Sequence, residues 1–365
     1  MKIAILYGGK SAEHDVSRIS AFYVAHELLK KHKLYLIGIT TEGLWYLQPD
    51  SVNQSLLEND PPLELRTDAP RVLVEPGKGL IAISNNNGVI PLSVDVVFPV
   101  LHGTFGEDGT IQGLLACADI PYVGCDVYGS AIGMDKTYAK KIWMHSGLPV
   151  VPFLEIHTYE LSQETIKTLT ATIEDSFQFP VIVKPARAGS SVGIQKATNS
   201  HELSQALMFA GKFDTKLLVE PFLPVREIEC SVVGNTVLKS FPPGEIKATH
   251  EFYDYEAKYI DPHGADLLIP APLADEQASY IQDLALQAYK AAGLKGLARV
   301  DFFIDTKTGK IMLNEVNTMP GFTSISMFPK MCEYGGLSYE NLLDSLLKLA
   351  LENHEQQNSM HYTRT

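Results

Sequence analysis

Short apolar runs alternate with amphipathic stretches over the first third of the chain. Strands are predicted at residues 2–6, 34–40 and 94–99, and helices at 17–31 and 109–118. Short apolar runs between longer segments of helical periodicity are typical of alternating strands and helices. The pattern predicts an α/β domain with a parallel sheet over residues 1–123. The polar stretch 51–88, which has Pro and Asn clusters, is predicted to be an irregular insertion.

The rest of the chain mixes both kinds of element and is predicted to form two further domains, 124–216 and 217–365. In the first of these we predict a helix at 136–146 and strands at 181–184 and 193–197. In the second we predict strands at 217–220 and 229–233, helices at 274–291 and 339–350, and a hairpin over 297–317. The fold class is therefore α/β (α+β) in three domains.

Charge and composition narrow the range of partners. The net charge is −13, from 30 basic and 43 acidic residues, which argues against a nucleic acid or an anionic membrane as partner. No apolar run approaches the roughly 20 residues of a membrane span. The spacing of the four cysteines matches no zinc or redox motif. We therefore expect a cytoplasmic protein with reduced thiols.

The segment Gly8-Gly9-Lys10-Ser11 resembles a phosphate-binding loop but fails the full pattern. A P-loop would need a glycine where Ala4 stands, and Ala4 lies inside a predicted strand. The segment is therefore a strand, a turn and the start of a helix, a junction that favours a ligand at the carboxyl end of the strand. Its unusual residue is Glu13, an anion that would repel phosphate.

The predicted hairpin carries the clearest chemistry. Folding it symmetrically about Thr308 places Asp301 opposite Glu315 and Arg299 opposite Asn317. Side chains alternate along strands, so these four share one face. Two carboxylates and an amide suit Mg²⁺, and an arginine beside them could stabilise a developing anion. The alternative is a solvent-exposed face with a surface salt bridge.

Three further segments give weaker signals when each is taken alone. Residues 181–194 predict a strand ending in Lys184 and a Gly/Ser turn that could cover a triphosphate, or an ordinary hairpin. The segments containing Lys136 and 219–227 could contact a nucleotide or be purely structural. Residues 251–259, rich in aromatic side chains, predict a lid over a ligand or an amphipathic surface helix.

Taken in order, ten motifs resemble those of the D-alanine–D-alanine ligase family of the ATP-grasp superfamily. The motifs cover nearly the whole chain: GGKSAEHDVS, LHGTFGEDGTIQG, PYVG, MDK, VIVKPARAGSSVG, VEPFL, REIE, FYDYEAKY, ARVDFF and NEVNTMPGFTSIS. Ten motifs in the family's order make a chance likeness untenable, whereas each motif alone leaves its alternative open.

The resemblance implies a nucleotide and metal site. It implies two Mg²⁺ ions, with Mn²⁺ as a substitute, held by Asp301, Glu315 and Asn317. It implies phosphate contacts from Lys136, Lys184 and the lid residue Lys258. It places Glu220, Leu223 and Glu227 at the adenine and ribose of ATP.

The resemblance also implies an amino-acid site. Glu13 would bind the ammonium group of the first D-alanine and join Ser190 and Tyr259 in a hydrogen-bonded chain. Arg299 and the backbone of Gly321 would stabilise the oxyanion. The second D-alanine carboxylate would lie at Ser326 and Met327, and His102 would face the substrates.

The implied reaction joins two D-alanine molecules through a D-alanyl phosphate, releasing ADP and phosphate for peptidoglycan precursor synthesis. The family also suggests a homodimer. The alternatives are ligation of D-alanine to D-lactate or D-serine, or another ATP-grasp carboxylate–amine ligase. A nucleotide-binding regulator without catalysis is a further alternative, although Arg299, Asp301, Glu315 and Asn317 are all present.

Overall fold

The computed structural model describes residues 1–56, 60–84, 88–248, 265–323 and 325–361. These residues form three sheets with helices packed against them. The first sheet has the strand order β6-β5-β4-β3-β2-β1-β7. Its strands are β1 Lys2–Gly8, β2 Lys33–Ile39, β3 Trp45–Leu47, β4 Arg71–Glu75, β5 Gly79–Ile83, β6 Val89–Leu92 and β7 Val96–Pro99. The helices near it are α1 His14–Leu28, α2 Asp50–Ser55 and α3 Thr110–Cys117.

The first sheet is mixed, so the prediction of a parallel sheet is only partly right. Strand β1 pairs in parallel with β2 and β7, whereas β2 to β6 pair antiparallel. The prediction of an irregular insertion over residues 51–88 is wrong, because this stretch contains part of α2 and all of β4 and β5. These strands are short and half-buried, with polar turns between them, so their alternation is hidden by the composition of the loops.

The second sheet has the order β10-β9-β11-β8. Its strands are β8 Leu154–His157, β9 Val181–Pro185, β10 Gln195–Ala197 and β11 Lys216–Pro221. The helices of this part are α4 Val127–Met134, α5 Lys136–His145, α6 Gln163–Ser176 and α7 Ser200–Ala210. Strand β11 pairs with both β8 and β9, so the strand that we predicted at 217–220 belongs to this sheet rather than to the third.

The third sheet has the order β15-β14-β12-β16-β17, with β13 paired to β12. Its strands are β12 Val225–Val233, β13 Lys239–Ser240, β14 Gly244–Ala248, β15 Ala265–Leu268, β16 Leu297–Asp305 and β17 Ile311–Asn317. Its helices are α8 Asp275–Ala291, α9 Met327–Tyr334 and α10 Tyr339–Asn358. One hydrophobic cluster joins α10 to β1 and α1, which ties the last part of the chain to the first sheet.

None of the helices in the described ranges combines the length and apolarity that a membrane crossing requires.

Candidate active site

A cavity of about 500 Å³ lies where strands of the third sheet meet the β9–β10 loop of the second sheet and, beside the first sheet, α1 and the loop that follows β7. Charged side chains from distant parts of the chain line it, among them Glu13, Lys136, Arg299, Asp301 and Glu315. A concave site with a few convergent polar groups is the usual form of a small-molecule site. The cavity is large enough for a substrate of nucleotide size, and its lining includes most of the residues that the sequence singled out.

The predicted pairing of polar residues across the β16–β17 hairpin is confirmed. Asp301 lies opposite Glu315 and Arg299 opposite Asn317 across β16 and β17. The turn itself is not centred on Thr308, because Phe302 lies opposite Leu313. An irregularity between Asp301 and Phe302 restores the predicted pairing at the site. The bulge therefore brings the polar residues of the two strands opposite each other. Bulges are common beside active sites.

Arg299 is fixed by two carboxylates at the cavity wall. Its Nε and Nη2 donate hydrogen bonds to Asp301 at 2.8 and 2.7 Å, and Nε lies 3.1 Å from Glu229. Burial alone would lower the pKa of Arg299, but Asp301 and then Glu229 outweigh it and raise the pKa well above its usual value. The guanidinium therefore keeps its charge, and the alternative of a solvent-exposed salt bridge is wrong because Asp301 is buried.

The oxygen atoms at the hairpin fit a divalent cation that is bound by protein side chains and by substrate phosphate together. Asp301 and Glu315 provide carboxylate oxygens, and the Oδ1 atom of Asn317 accepts a hydrogen bond from Met319 N at 3.1 Å, which orients its amide. Within the described ranges no three His, Cys, Asp or Glu side chains group together as a metal site. Two carboxylates and an amide suit Mg²⁺, which keeps open positions for water and substrate phosphates.

Glu13 lies immediately before α1 and lines the cavity. Ser190 Oγ donates a hydrogen bond of 2.5 Å to Glu13 Oε1, which confirms the predicted contact between these residues. Two glycines leave room for the carboxylate. A Cβ atom at Gly103 or Gly189 would lie 2.5 or 2.9 Å from Glu13 Oε2. The third predicted member of this chain, Tyr259, lies outside the described residues.

His102 is buried beside the same end of the cavity. Its Nδ1 lies 2.9 Å from the carbonyl oxygen of Met319, so Nδ1 carries the proton and donates. Its Nε2 accepts from Ser20 Oγ at 2.9 Å. Burial lowers the pKa of His102, although Glu13 opposes this, so the imidazole is neutral. His102 therefore connects the part of the chain beside the first sheet to the loop that follows the β16–β17 hairpin. Its contact with substrate stays a prediction.

Glu107 lines the cavity and was not singled out from the sequence. Its Oε1 accepts a hydrogen bond from Gly103 N at 2.7 Å. Burial, and then the nearby charge of Glu13, raises the pKa of Glu107 to about 8. The available signal was its place in the motif LHGTFGEDGTIQG, where an acidic pair follows a glycine-rich turn.

Of the three predicted phosphate lysines, Lys136 lines the cavity, and Lys184 lies behind its wall in contact with the lining residue Asn314. Lys136 Nζ donates to the carbonyl oxygen of Ala188 at 2.8 Å and lies 3.3 Å from Glu315. Lys184 Nζ donates to Asn314 Oδ1 at 3.2 Å. The predicted lid residue Lys258 lies outside the described residues, as does the whole segment 251–259.

The residues predicted at the adenosine lie on or between β11 and β12. Glu220 is buried and forms ion pairs with Lys184 and Lys140, at 2.7 and 2.9 Å. Glu227 lines the cavity, and Leu223 is half-buried in the connection between the two strands. Their contact with a nucleotide stays a prediction.

The loop after the hairpin completes the cavity. Gly321 and Ser326 both line it, and a Cβ atom at Gly321 would lie 2.7 Å from Ser326 Oγ. Ser326 Oγ accepts a hydrogen bond from Thr323 N at 3.0 Å and lies 2.8 Å from Thr323 Oγ1. Met327 begins α9 and lines the same cavity as Gly321 and Ser326. The contacts of these residues with substrate stay predictions.

Comparisons with known proteins agree with this geometry. Family models for the "D-ala D-ala ligase N-terminus" and "D-ala D-ala ligase C-terminus" match residues 2–125 and 142–348. A D-alanine–D-alanine ligase of Treponema denticola is 51% identical over 96% of each chain. One of Thermoanaerobacter sp. is 47% identical over 97% of this chain and 98% of the relative.

Solved structures are similar along nearly the whole chain. The D-alanine–D-alanine ligase from Coxiella burnetii superposes with a TM-score of 0.83 at 32% identity, over 98% of this chain and 97% of that one. The VanG D-Ala:D-Ser ligase from Enterococcus faecalis gives 0.81 at 36% identity, over 96% and 99%.

The fold, together with a cavity that joins a Gly/Ser loop to a carboxylate-bearing hairpin, defines an ATP-grasp protein. The family models and relatives then decide which kind. The chain belongs to the D-alanine–D-alanine ligase family.

Proposed function

We propose that this chain joins two D-alanine molecules into D-alanyl-D-alanine at the expense of ATP, releasing ADP and phosphate. The observation that carries the proposal is that one cavity is lined both by an anion, Glu13, and by the Arg299, Asp301 and Glu315 set. Family membership gives the reaction class. We propose peptidoglycan precursor synthesis in the cytoplasm as the process that uses this product.

In the first step, a carboxylate oxygen of one D-alanine attacks the γ-phosphorus of ATP and ADP leaves. Glu13 holds the ammonium group of this D-alanine, and Ser190 fixes the orientation of Glu13 through its hydrogen bond. Two anions meet in this step. Like charges about 4 Å apart repel by roughly 4 kcal/mol at an effective dielectric of 20. Lys136, Lys184 and Arg299 offset this repulsion with fixed positive charge.

In the second step, the amine of the other D-alanine attacks the acyl carbon and phosphate leaves. Arg299 and the N–H of Gly321 stabilise the oxyanion that forms at that carbon. Ser326 and the start of α9 at Met327 hold the carboxylate of the incoming D-alanine, because free N–H groups at a helix start attract anions. His102 stays neutral and positions the loop containing Met319.

We propose Asp301, Glu315 and Asn317 as the ligands of two Mg²⁺ ions, with Mn²⁺ as a substitute. When bound, these ions neutralise the phosphate oxygens and orient the γ-phosphorus for attack. Glu220, Leu223 and Glu227 are proposed to contact the adenosine, and Lys258 and Tyr259 to act from the lid.

We also propose a division into three parts and assembly as a homodimer. Membership of the sheets supports boundaries near residues 123 and 221, because β11 extends the second sheet to Pro221. The family suggests the homodimer, and light scattering would test it.

D-Serine or D-lactate as second substrate is the competing proposal. Its support is the similarity to the VanG D-Ala:D-Ser ligase. ADP release should be measured, and the product identified by mass spectrometry, with D-alanine alone and with D-alanine plus D-serine or D-lactate near neutral pH. The main product is expected to be D-alanyl-D-alanine, and a dominant mixed dipeptide or ester would reject this assignment.

A further inference from the structure

Lys140 is a fully buried lysine one helical turn after Lys136 on α5. Residues four apart share one face of a helix, so both side chains point from α5 toward the site. Lys136 lies at the cavity wall, whereas Lys140 reaches Glu220 on β11 at 2.9 Å. A buried, charged lysine is costly unless it is paired, so this placement calls for a functional reason.

Glu220 is shared between two lysines. Lys184 lies opposite Leu218 on the neighbouring strand, so Glu220, two residues along, is its diagonal neighbour on the same face. Lys184 Nζ is 2.7 Å from Glu220 Oε2, and Lys140 Nζ is 2.9 Å from Oε1.

The charges of Lys140, Lys184 and Glu220 sum to one positive unit. Burial alone would raise the pKa of Glu220, but Lys140 and then Lys184 outweigh burial and lower it. Burial lowers the pKa of Lys140 to about 8, and Glu220 opposes that shift. Lys184 differs from Lys140 in its reach, because its ammonium also contacts Asn314 at the cavity wall.

We propose that Lys140 is a positioning residue for ATP, which holds Glu220 in place so that Lys184 can leave it for the triphosphate. This inference rests on the proposed function, in which Lys184 contacts phosphate. Without Lys140, Lys184 would be the remaining cation on this buried carboxylate among the residues that the structure describes. Moving Lys184 would then separate the carboxylate from that cation. Breaking a buried pair in this way is strongly unfavourable. Lys140 thereby sets how readily the site takes a triphosphate, without touching the nucleotide.

The test compares two neighbouring lysines of α5. Lys140→Met removes the buried cation and leaves Glu220 paired with Lys184. Lys141→Met is the matched control, because the Lys141 side chain is 52% exposed and pairs with Glu155 at 2.6 Å. Binding of ATP with Mg²⁺, and of adenosine, is measured by titration calorimetry of the full chain. Adenosine has no phosphate and does not draw Lys184 away from Glu220.

Lys140→Met is expected to weaken ATP binding about tenfold or more, and adenosine binding by less than about threefold. Lys141→Met should match the wild type for both. A merely structural role of Lys140 would weaken both ligands equally. An equal loss for both ligands, or no loss for ATP, would overturn the proposal.

A double variant tests the mechanism and separates it from a folding defect caused by Lys140→Met. In the double variant Lys140→Met/Glu220→Gln, the carboxylate that retains Lys184 is neutral, so ATP should bind as tightly as it does to Glu220→Gln alone. A double variant that binds ATP as weakly as Lys140→Met would overturn the proposal. Because binding is measured without turnover, a wild-type chain that binds ATP but forms no dipeptide rejects the proposed function and leaves this test intact.

Discussion

Ser190 donates a hydrogen bond of 2.5 Å to Glu13, although 177 positions separate them in the chain. The contact joins the Gly/Ser loop of the second sheet to the start of α1 beside the first sheet. Ser190 has a φ of 49°, a left-handed conformation that is unusual outside glycine. The loop that would cover phosphates is therefore also fastened to the group that would bind an amino acid.

Ser190→Ala tests this link between the two ends of the site. A hydrogen bond to a charged group contributes about 1.5–3 kcal/mol, so we expect the KM for the first D-alanine to rise at least about tenfold. The KM for ATP should change by less than about twofold, because Glu13 makes no contact with the nucleotide in this account. Steady-state kinetics with each substrate varied in turn measure both values. Parallel increases in both KM values would contradict a role at the amino-acid end.

Gly103→Ala tests whether space around Glu13 sets the amino-acid site. Gly103 has a φ of 73°, and a Cβ there would lie 2.5 Å from Glu13 Oε2. The matched control is Gly43→Ala, because Gly43 has a φ of 86° and an added Cβ would meet no atom within 4 Å. Both variants should lose about 1–2 kcal/mol of stability through backbone strain.

Only Gly103→Ala should also raise the KM for D-alanine, because only there does the new methyl group displace the carboxylate. Thermal unfolding and kinetics on both variants separate strain from displacement. If Gly43→Ala raised the KM for D-alanine as much as Gly103→Ala, strain alone would explain the effect.

Glu107→Gln tests the raised pKa of a buried carboxyl. The folded state raises the pKa of Glu107 from 4.5 to about 8, so the folded chain binds this proton more tightly than the unfolded chain does. The contribution of this proton to the free energy of unfolding is fully present below about pH 4.5. It is lost as the pH rises through about 8. Glutamine keeps the acceptor for Gly103 N and removes the titration. We expect the slope of unfolding free energy between pH 5 and 8 to become less negative by up to about 1.4 kcal/mol per unit.

Urea unfolding of the wild type and Glu107→Gln at several pH values measures this slope. Identical slopes for the two proteins would mean that Glu107 does not hold its proton in the folded state.

Arg299→Lys tests the requirement for a guanidinium. Lysine keeps the charge but cannot donate two parallel bonds to Asp301 while lying beside Glu229. Loss of an aligned oxyanion donor lowers kcat about a hundredfold or more. ATP binding, measured without D-alanine, should stay close to that of the wild type.

Arg226→Lys is the matched control, because Arg226 pairs in the same two-pronged way with Glu245 at 2.8 and 2.6 Å. It should leave kcat near the wild-type value. A similar kcat loss in both variants would show that the loss comes from weakening the third sheet.

The sequence predicted the polar pairing of the β16–β17 hairpin because Asp301 and Glu315 lie equally far from Thr308 along the chain. The turn is centred elsewhere, and the bulge between Asp301 and Phe302 restores this pairing. The β4–β5 hairpin was missed because its strands are short and half-buried, so polar loops dominate the local composition.

Contacts between distant segments could not be predicted from the periodicity of the sequence or the spacing of its motifs. The Ser190–Glu13 contact came only from the resemblance to a family. The Lys140–Glu220 pair was missed because a lysine in an amphipathic helix normally indicates an exposed position. Here the pair is buried between α5 and β11, which only the packing of the two elements reveals.

The attack of a D-alanine carboxylate on the γ-phosphorus of ATP is tested most directly by isotope labelling of one substrate. D-Alanine labelled with ¹⁸O in its carboxylate is supplied with ATP, and the released phosphate and dipeptide are analysed by mass spectrometry. If a carboxylate oxygen attacks the γ-phosphorus, that oxygen leaves with phosphate when the peptide bond forms. We expect one ¹⁸O in each phosphate released and one D-alanyl-D-alanine for each ADP. Unlabelled phosphate, or ADP released without dipeptide, would contradict it.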